Sequence, residues 1–226
     1  MKNIAAFLML ILLFTQCKNE TKPTTNATPE KQEQTASTTV SKKNIVFFGN
    51  SLIAGYGLDN PTKDGFVGLI AARLDSLQLP YTCVNAGESG RTTSGGLSSV
   101  DWIIEQQPID IFILELGGND ALRGIQPEES TKNLQSIIDK VKVKNPSVKI
   151  ILAGMEAPRN MGNTYIKAFH DMYITLAKKN NIPLIPFILE GVGGIAELNQ
   201  KDGIHPTEAG NKIVVENIWQ ILKPVL

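Results

Sequence analysis

The chain has 226 residues, 42% of them hydrophobic, with 22 Lys plus Arg against 22 Asp plus Glu and a formal net charge of zero. That length fits one α/β domain with a tail, and the apolar share excludes disorder for the chain as a whole. The charge balance argues against a nucleic-acid partner, which calls for a basic footprint. Two cysteines, Cys17 and Cys83, and two histidines, His170 and His205, are too few for a zinc cluster or a disulfide framework. No metal or other cofactor is expected, and the chemistry falls to ordinary side chains.

Lys2 precedes an unbroken apolar run from Ile4 to Phe14. Such a run is too short to cross a hydrocarbon core of roughly 30 Å, so it reads as the apolar region of a signal peptide, residues 1–16, and predicts export. Cys17 follows directly and resembles the lipidated cysteine of a bacterial lipoprotein, which would anchor the protein to a membrane in the periplasm or at the outer membrane. A plain secretory leader with Cys17 incidental is the alternative. Lys18 to Ser41 holds seven threonines, two prolines, three positive and three negative charges, and only Ala27, Ala36 and Val40 as apolar residues. It cannot bury enough surface to offset its chain entropy, so residues 17–42 are expected to be a flexible tether carrying a domain at 43–226. Cys83, in an apolar stretch, is expected to be a buried free thiol.

From Lys43 onward strands and helices alternate. Ile45-Val46-Phe47-Phe48 reads as a buried parallel strand ending at Gly49. Phe66, Leu69, Ile70, Leu74 and Leu77 follow at helical spacing. Tyr81 to Val84 is the second strand, and a helix within Leu97 to Gln106 comes after a glycine-rich loop. Ile109 to Leu116 is the third strand. Pro127-Glu128-Glu129 marks a helix start, with proline preset for the first turn and acids favoured by the dipole. Val148 to Ala153 and Pro183 to Phe187 are the fourth and fifth strands, separated by a helix through Ile166, Phe169, Tyr173 and Leu176. Ile213, Val214, Ile218 and Leu222 mark the closing helix. This alternation predicts a parallel sheet covered on both faces, with its site at the carboxyl ends of the strands. Three polar, glycine-rich segments fall there: Gly49 to Ser51, Gly87 to Gly90 and Gly117 to Asp120.

Ser51, just after the first strand, reads either as a helix N-cap or as a nucleophile presented at the sheet edge. Asp202-Gly203-Ile204-His205-Pro206 favours the second reading. An acid three residues before a histidine can turn back to hold its Nδ1–H, leaving Nε2 to serve a serine as base. His170, the rival base, falls on or beside the apolar face of a helix and is expected to be packed there. Asn119 offers a side-chain amide, and Gly90 and Ser51 offer backbone N–H groups, as donors to a developing oxyanion.

In order along the chain, Gly49-Asn50-Ser51-Leu52, Asn85 to Gly90, Gly117-Gly118-Asn119-Asp120 and Asp202 to Pro206 resemble the four blocks of the SGNH (GDSL-type) hydrolases. Glu115 to Gly124 and Ala157 to Leu189 are similar to the bacterial periplasmic branch with esterase, thioesterase and lysophospholipase activities. The resemblance implies a three-layer α/β/α flavodoxin-like fold with a five-stranded parallel sheet. It implies Ser51, Asp202 and His205 as catalytic triad, with Ser51, Gly90 and Asn119 as oxyanion hole. It also implies a small-molecule acyl ester or thioester substrate, for which Leu122, Ile125, Pro158 and Met161 could line an acyl groove. A carbohydrate O-acetylesterase and a non-catalytic binding lipoprotein are the competing readings. Asn50 departs from the family's usual Asp; its oxygen can still accept a hydrogen bond, so a tuning change is expected.

Overall fold

Lys43–Gly49 forms β1, and its Ile45 to Phe48 are wholly shielded from solvent. Such a run can be satisfied only by a central strand covered on both faces. The computed structural model describes residues 41–226. The segment expected to be a signal peptide, Cys17 and the part of the expected tether before Ser41 lie outside the described residues.

Four further strands, β2 (Tyr81–Gly87), β3 (Ile111–Glu115), β4 (Lys149–Ala153) and β5 (Leu184–Ile185), complete a sheet of order β2-β1-β3-β4-β5 with every pairing parallel. This is the flavodoxin-like order, whose switch point falls between β1 and β3. Short helices α1 (Ser51–Ala54) and α2 (Pro61–Asp64) lead into α3 (Phe66–Ser76), which packs with the closing helix α8 (Glu208–Leu222). On the other face α4 (Thr93–Gln106), α6 (Pro127–Lys144) and α7 (Asn163–Asn180) lie side by side, and α5 (Gly118–Leu122) is a single turn following β3. The result is the expected three-layer α/β/α arrangement. Pro127 stands in the first turn of α6 with Glu128 and Glu129 beside it.

Several boundaries differ from the sequence reading. β2 runs on to Gly87, and α4 begins at Thr93, where the Thr92 side chain accepts from Gly95 N–H at 3.1 Å. β5 shrinks to two residues, because Pro183 and Pro186 on either side cannot donate to a ladder. Cys83 is a free thiol on edge strand β2 but only partly buried; the burial it has pushes the thiol up to about 12. His170 is not packed: it is exposed on α7 beside Asp171, which pairs with Lys167. The apolar face of α7 runs instead through Phe169, Met172, Tyr173 and Leu176.

Candidate active site

The carboxyl ends of β1, β2 and β3 lead directly into the three glycine-rich segments. Ser51 is the first residue of α1 rather than its cap. Asn50 is the cap, its Oδ1 accepting from Leu52 N–H at 2.9 Å. Ser51 Oγ is thereby left to a different partner, His205 Nε2, at 2.8 Å.

His205 sits in the loop between β5 and α8. Its Nδ1 is 2.7 Å from Asp202 Oδ2, while Asp202 Oδ1 accepts from the backbone N–H groups of Ile204 at 2.9 Å and His205 at 3.1 Å. Partial desolvation of Asp202 works against ionisation. The Ile204 N–H and the His205 ring outweigh it and hold the carboxyl down at about 2. Asp202 is therefore a permanent anion at neutral pH, fixed against one ring nitrogen of His205. Gln200 anchors this loop. Its N–H donates to His205 O at 2.7 Å, and its side-chain nitrogen donates to Tyr56 O at 2.7 Å and Pro206 O at 3.1 Å.

Asn119 stands on α5, with Nδ2 donating to Arg91 O at 3.1 Å. An amide nitrogen carries two hydrogens, so this bond fixes the group and leaves the second N–H to donate elsewhere. Arg91 is buried and clamps the strand ends from below. Its Nη1 donates to Gly49 O at 2.9 Å and Ala86 O at 2.6 Å, and its guanidinium lies over the Phe48 ring. Gly90 is tied through its carbonyl to Arg123 Nη2 at 3.1 Å. Among the described residues neither the Ser51 nor the Gly90 N–H has a backbone partner. The fourth member of the third block, Asp120, is buried away from the relay and accepts from Thr93 and Ser130, which braces α4 against α5 and α6.

A cavity of about 610 Å³ opens beside Ser51 and Asn119. Leu122 and Pro158 line it. Ile125 and Met161 do not: Tyr165 O–H donates to the Ile125 carbonyl at 2.6 Å, and Met161 borders a separate depression with Pro127 and Tyr165. Further apolar wall comes from Met155, Phe187, Leu189, Ile195 and Ile204. Sequence reasoning did not single these out. Met155 and Phe187 lie just past β4 and β5, so the rule that pointed to Ser51 and Asn119 could have found them. Ile195 and Ile204 lie in an irregular stretch that carries no periodic signal. Among the described residues no three His, Cys, Asp or Glu side chains are grouped to hold a metal ion.

The sequence matches the GDSL-like Lipase/Acylhydrolase family over residues 47–213. It is 39% identical over 182 residues to Esterase TesA of Pseudomonas aeruginosa, covering 80% of this chain and 89% of that relative. It is 32% identical over 182 residues to Thioesterase 1/protease 1/lysophospholipase L1 of Escherichia coli, covering 80% of this chain and 84% of the other. A crystal structure of TesA superposes with a TM-score of 0.77 at 38% identity, covering 81% of this chain and 100% of that one.

Proposed function

Because the chain belongs to the GDSL-like lipase/acylhydrolase family, we propose that it is a serine hydrolase cleaving acyl esters or thioesters through an acyl-enzyme on Ser51. The observation that carries this reading is the unbroken relay from Ser51 Oγ to His205 Nε2 and from His205 Nδ1 to Asp202, at 2.8 and 2.7 Å. His205 takes the Ser51 proton as Oγ attacks the substrate carbonyl carbon, and Asp202 keeps the proton of the other ring nitrogen in place. The Ser51 N–H, the Gly90 N–H and the Asn119 amide receive the oxyanion. Collapse of the tetrahedral species expels the alcohol or thiol, which collects its proton from His205. Water, deprotonated by the same imidazole, then releases the acid and restores Ser51.

Leu122, Met155, Pro158 and Phe187 give the cavity an apolar wall suited to an acyl chain. That wall favours acyl esters and thioesters over acetylated carbohydrate. The relatives' names, esterase and thioesterase/lysophospholipase, support the same substrate class. The apolar run from Ile4 to Phe14 and the following Cys17 support export and attachment to a membrane by lipid on that cysteine. The test of the enzymatic reading is covalent labelling by a fluorophosphonate. Wild type labels, Ser51→Ala does not, and a panel of p-nitrophenyl esters and acyl thioesters then ranks acyl length and leaving group. Equal labelling of Ser51→Ala would overturn the nucleophile.

A further inference from the structure

Ser51 and His205 come from turns 154 positions apart, and the loop that carries the histidine runs largely in solvent, with Asp202, Gly203 and Ile204 all exposed. Gln200 closes that loop on itself. Its N–H donates to His205 O at 2.7 Å, its C=O accepts from Gly203 N–H at 2.9 Å, and its Nε2 donates to Pro206 O at 3.1 Å. The second hydrogen of the same Nε2 reaches out of the loop to Tyr56 O at 2.7 Å. Tyr56 in turn donates its N–H to Ser51 O at 3.0 Å, so the bonded path ends on the peptide of the serine itself. Both acceptors of the amide are carbonyls, so its nitrogen must face them. Gly57 leaves room for the other end, since a Cβ there would run into Gln200 Oε1. Among the described residues, the Gln200–Tyr56 bond and the Ser51–His205 bond are the only hydrogen bonds joining residues 49–60 to residues 199–207.

We propose that Gln200 is a positioning residue for hydrolysis: its side-chain amide, shared between the Tyr56 and Pro206 carbonyls, ties the loop of the base to the turn of the nucleophile and so sets the Ser51–His205 separation across which the proton moves. This rests on the reading of Ser51 as nucleophile and His205 as base. The oxyanion donors have supports of their own, Asn119 through Arg91 O and Gly90 through Arg123. Asp202 and His205 are likewise held to each other within their loop. Loss of the Gln200 amide therefore shifts that loop as a unit against Ser51 and spares the oxyanion donors. Two replacements of similar length separate donation from bulk. Gln200→Met keeps a side chain of similar reach without a donor, and Gln200→Glu presents a carboxylate to two carbonyls.

The experiment measures kcat and KM on a soluble p-nitrophenyl ester, and the rate of fluorophosphonate labelling, for the full chain and for both variants alone and combined with Asn119→Ala. Circular dichroism and melting accompany each. Both variants should lose on the order of tenfold in kcat with KM little changed, since misplacing a reacting group by about 1 Å can cost about 10²-fold. Labelling should slow by the same factor. In the Asn119→Ala background that factor should be lost again in full, as holds for two independent supports. A lower melting temperature with wild-type kcat in the folded protein would overturn the proposal and leave Gln200 a stability group only. So would a loss that disappears in Asn119→Ala, which would place the effect in the oxyanion hole. If one replacement fails to fold, the other carries the comparison, and failure of both counts against a role in the reaction. Undiminished labelling of Ser51→Ala would instead sink the nucleophile reading, whatever the Gln200 variants do.

Discussion

Tyr56 lies against the His205 imidazole, ring centroids 4.7 Å apart and planes inclined by 43°, while about half of its surface remains open to solvent. Its backbone carbonyl is held by Gln200, the residue that also accounts for the fold of the histidine loop. The ring therefore lies beside the base, within reach of the positive charge that His205 acquires in the transition state. An exposed aromatic face contributes roughly 0.5–1 kcal/mol to a neighbouring cation. Tyr56→Ala should accordingly lower kcat by about two- to fivefold, and Tyr56→Phe should stay close to wild type. Equal losses in the two variants would show that the hydroxyl, not the face, is what matters.

His205→Ala should abolish nearly all turnover of p-nitrophenyl esters, whereas His170→Ala should leave it almost intact. His205 bridges Ser51 and Asp202, while His170 is exposed on α7. A folded His170→Ala variant without activity would contradict this assignment.

Asn119→Ala should reduce kcat by about 10²–10³-fold with a much smaller change in KM, because an oxyanion donor acts mainly once the charge has formed. Steady-state kinetics on one ester suffice. A change confined to KM would make Asn119 a ground-state binding group held by Arg91.

Burial pushes the Glu115 carboxyl up from its ordinary 4.5 to about 8, against the two Asn50 hydrogen bonds and the positive charge of Arg91. The folded protein thus holds this proton more tightly than the unfolded chain does. The stabilising effect is complete below about 4.5 and is lost as pH rises towards about 8. Relative to Glu115→Gln, which has no such proton, wild type should lose melting temperature steadily between pH 5 and pH 8. Parallel melting curves for the two proteins across that range would show that Glu115 is ionised throughout.

A chain beginning at Lys42 should be soluble and keep full specific activity on soluble esters, since every residue of the relay and the cavity follows Gly49. Full-length protein should fractionate with membranes and take up an alkyne fatty acid at Cys17; Cys17→Ser should not be labelled. Absence of label on wild type, with the mature protein found in the soluble fraction, would leave a plain secreted enzyme.

What could be read in advance was what depends on neighbours in the chain. β1, β3 and β4 announce themselves as apolar runs, and α6 by Pro127 with its acids. Asp202 and His205 are three residues apart, so their contact is local. The start of α4 was hidden because Gly95 and Gly96 look like helix breakers. In the fold Gly96 is required, as a Cβ there would run into the Leu116 side chain. β5 was overcalled because apolar content alone does not reveal that two prolines confine pairing to Leu184 and Ile185. The placing of His170 failed because one helical step decides whether a side chain points inward. The Glu115–Asn50 pair and the Tyr56–His205 contact were not legible, because they join residues 65 and 149 positions apart. Such contacts follow from sheet order and loop course rather than from any pattern along the chain.

The direction of β1 carries one more consequence. The chain enters the described fold at the amino end of that seven-residue strand, where Lys43 N–H donates to Pro80 O, and leaves it at Gly49, next to the Ser51 turn. At about 3.3 Å per residue the two points are roughly 20 Å apart across the sheet. A protein moored through residues before Lys43 is moored by its base, with the cavity mouth on the far side. Esters and thioesters diffusing in the surrounding compartment then meet an open entrance. Were Cys17 to carry lipid, acyl chains held in that bilayer would lie on the side opposite the cavity mouth, and soluble esters and thioesters would be the more accessible pool.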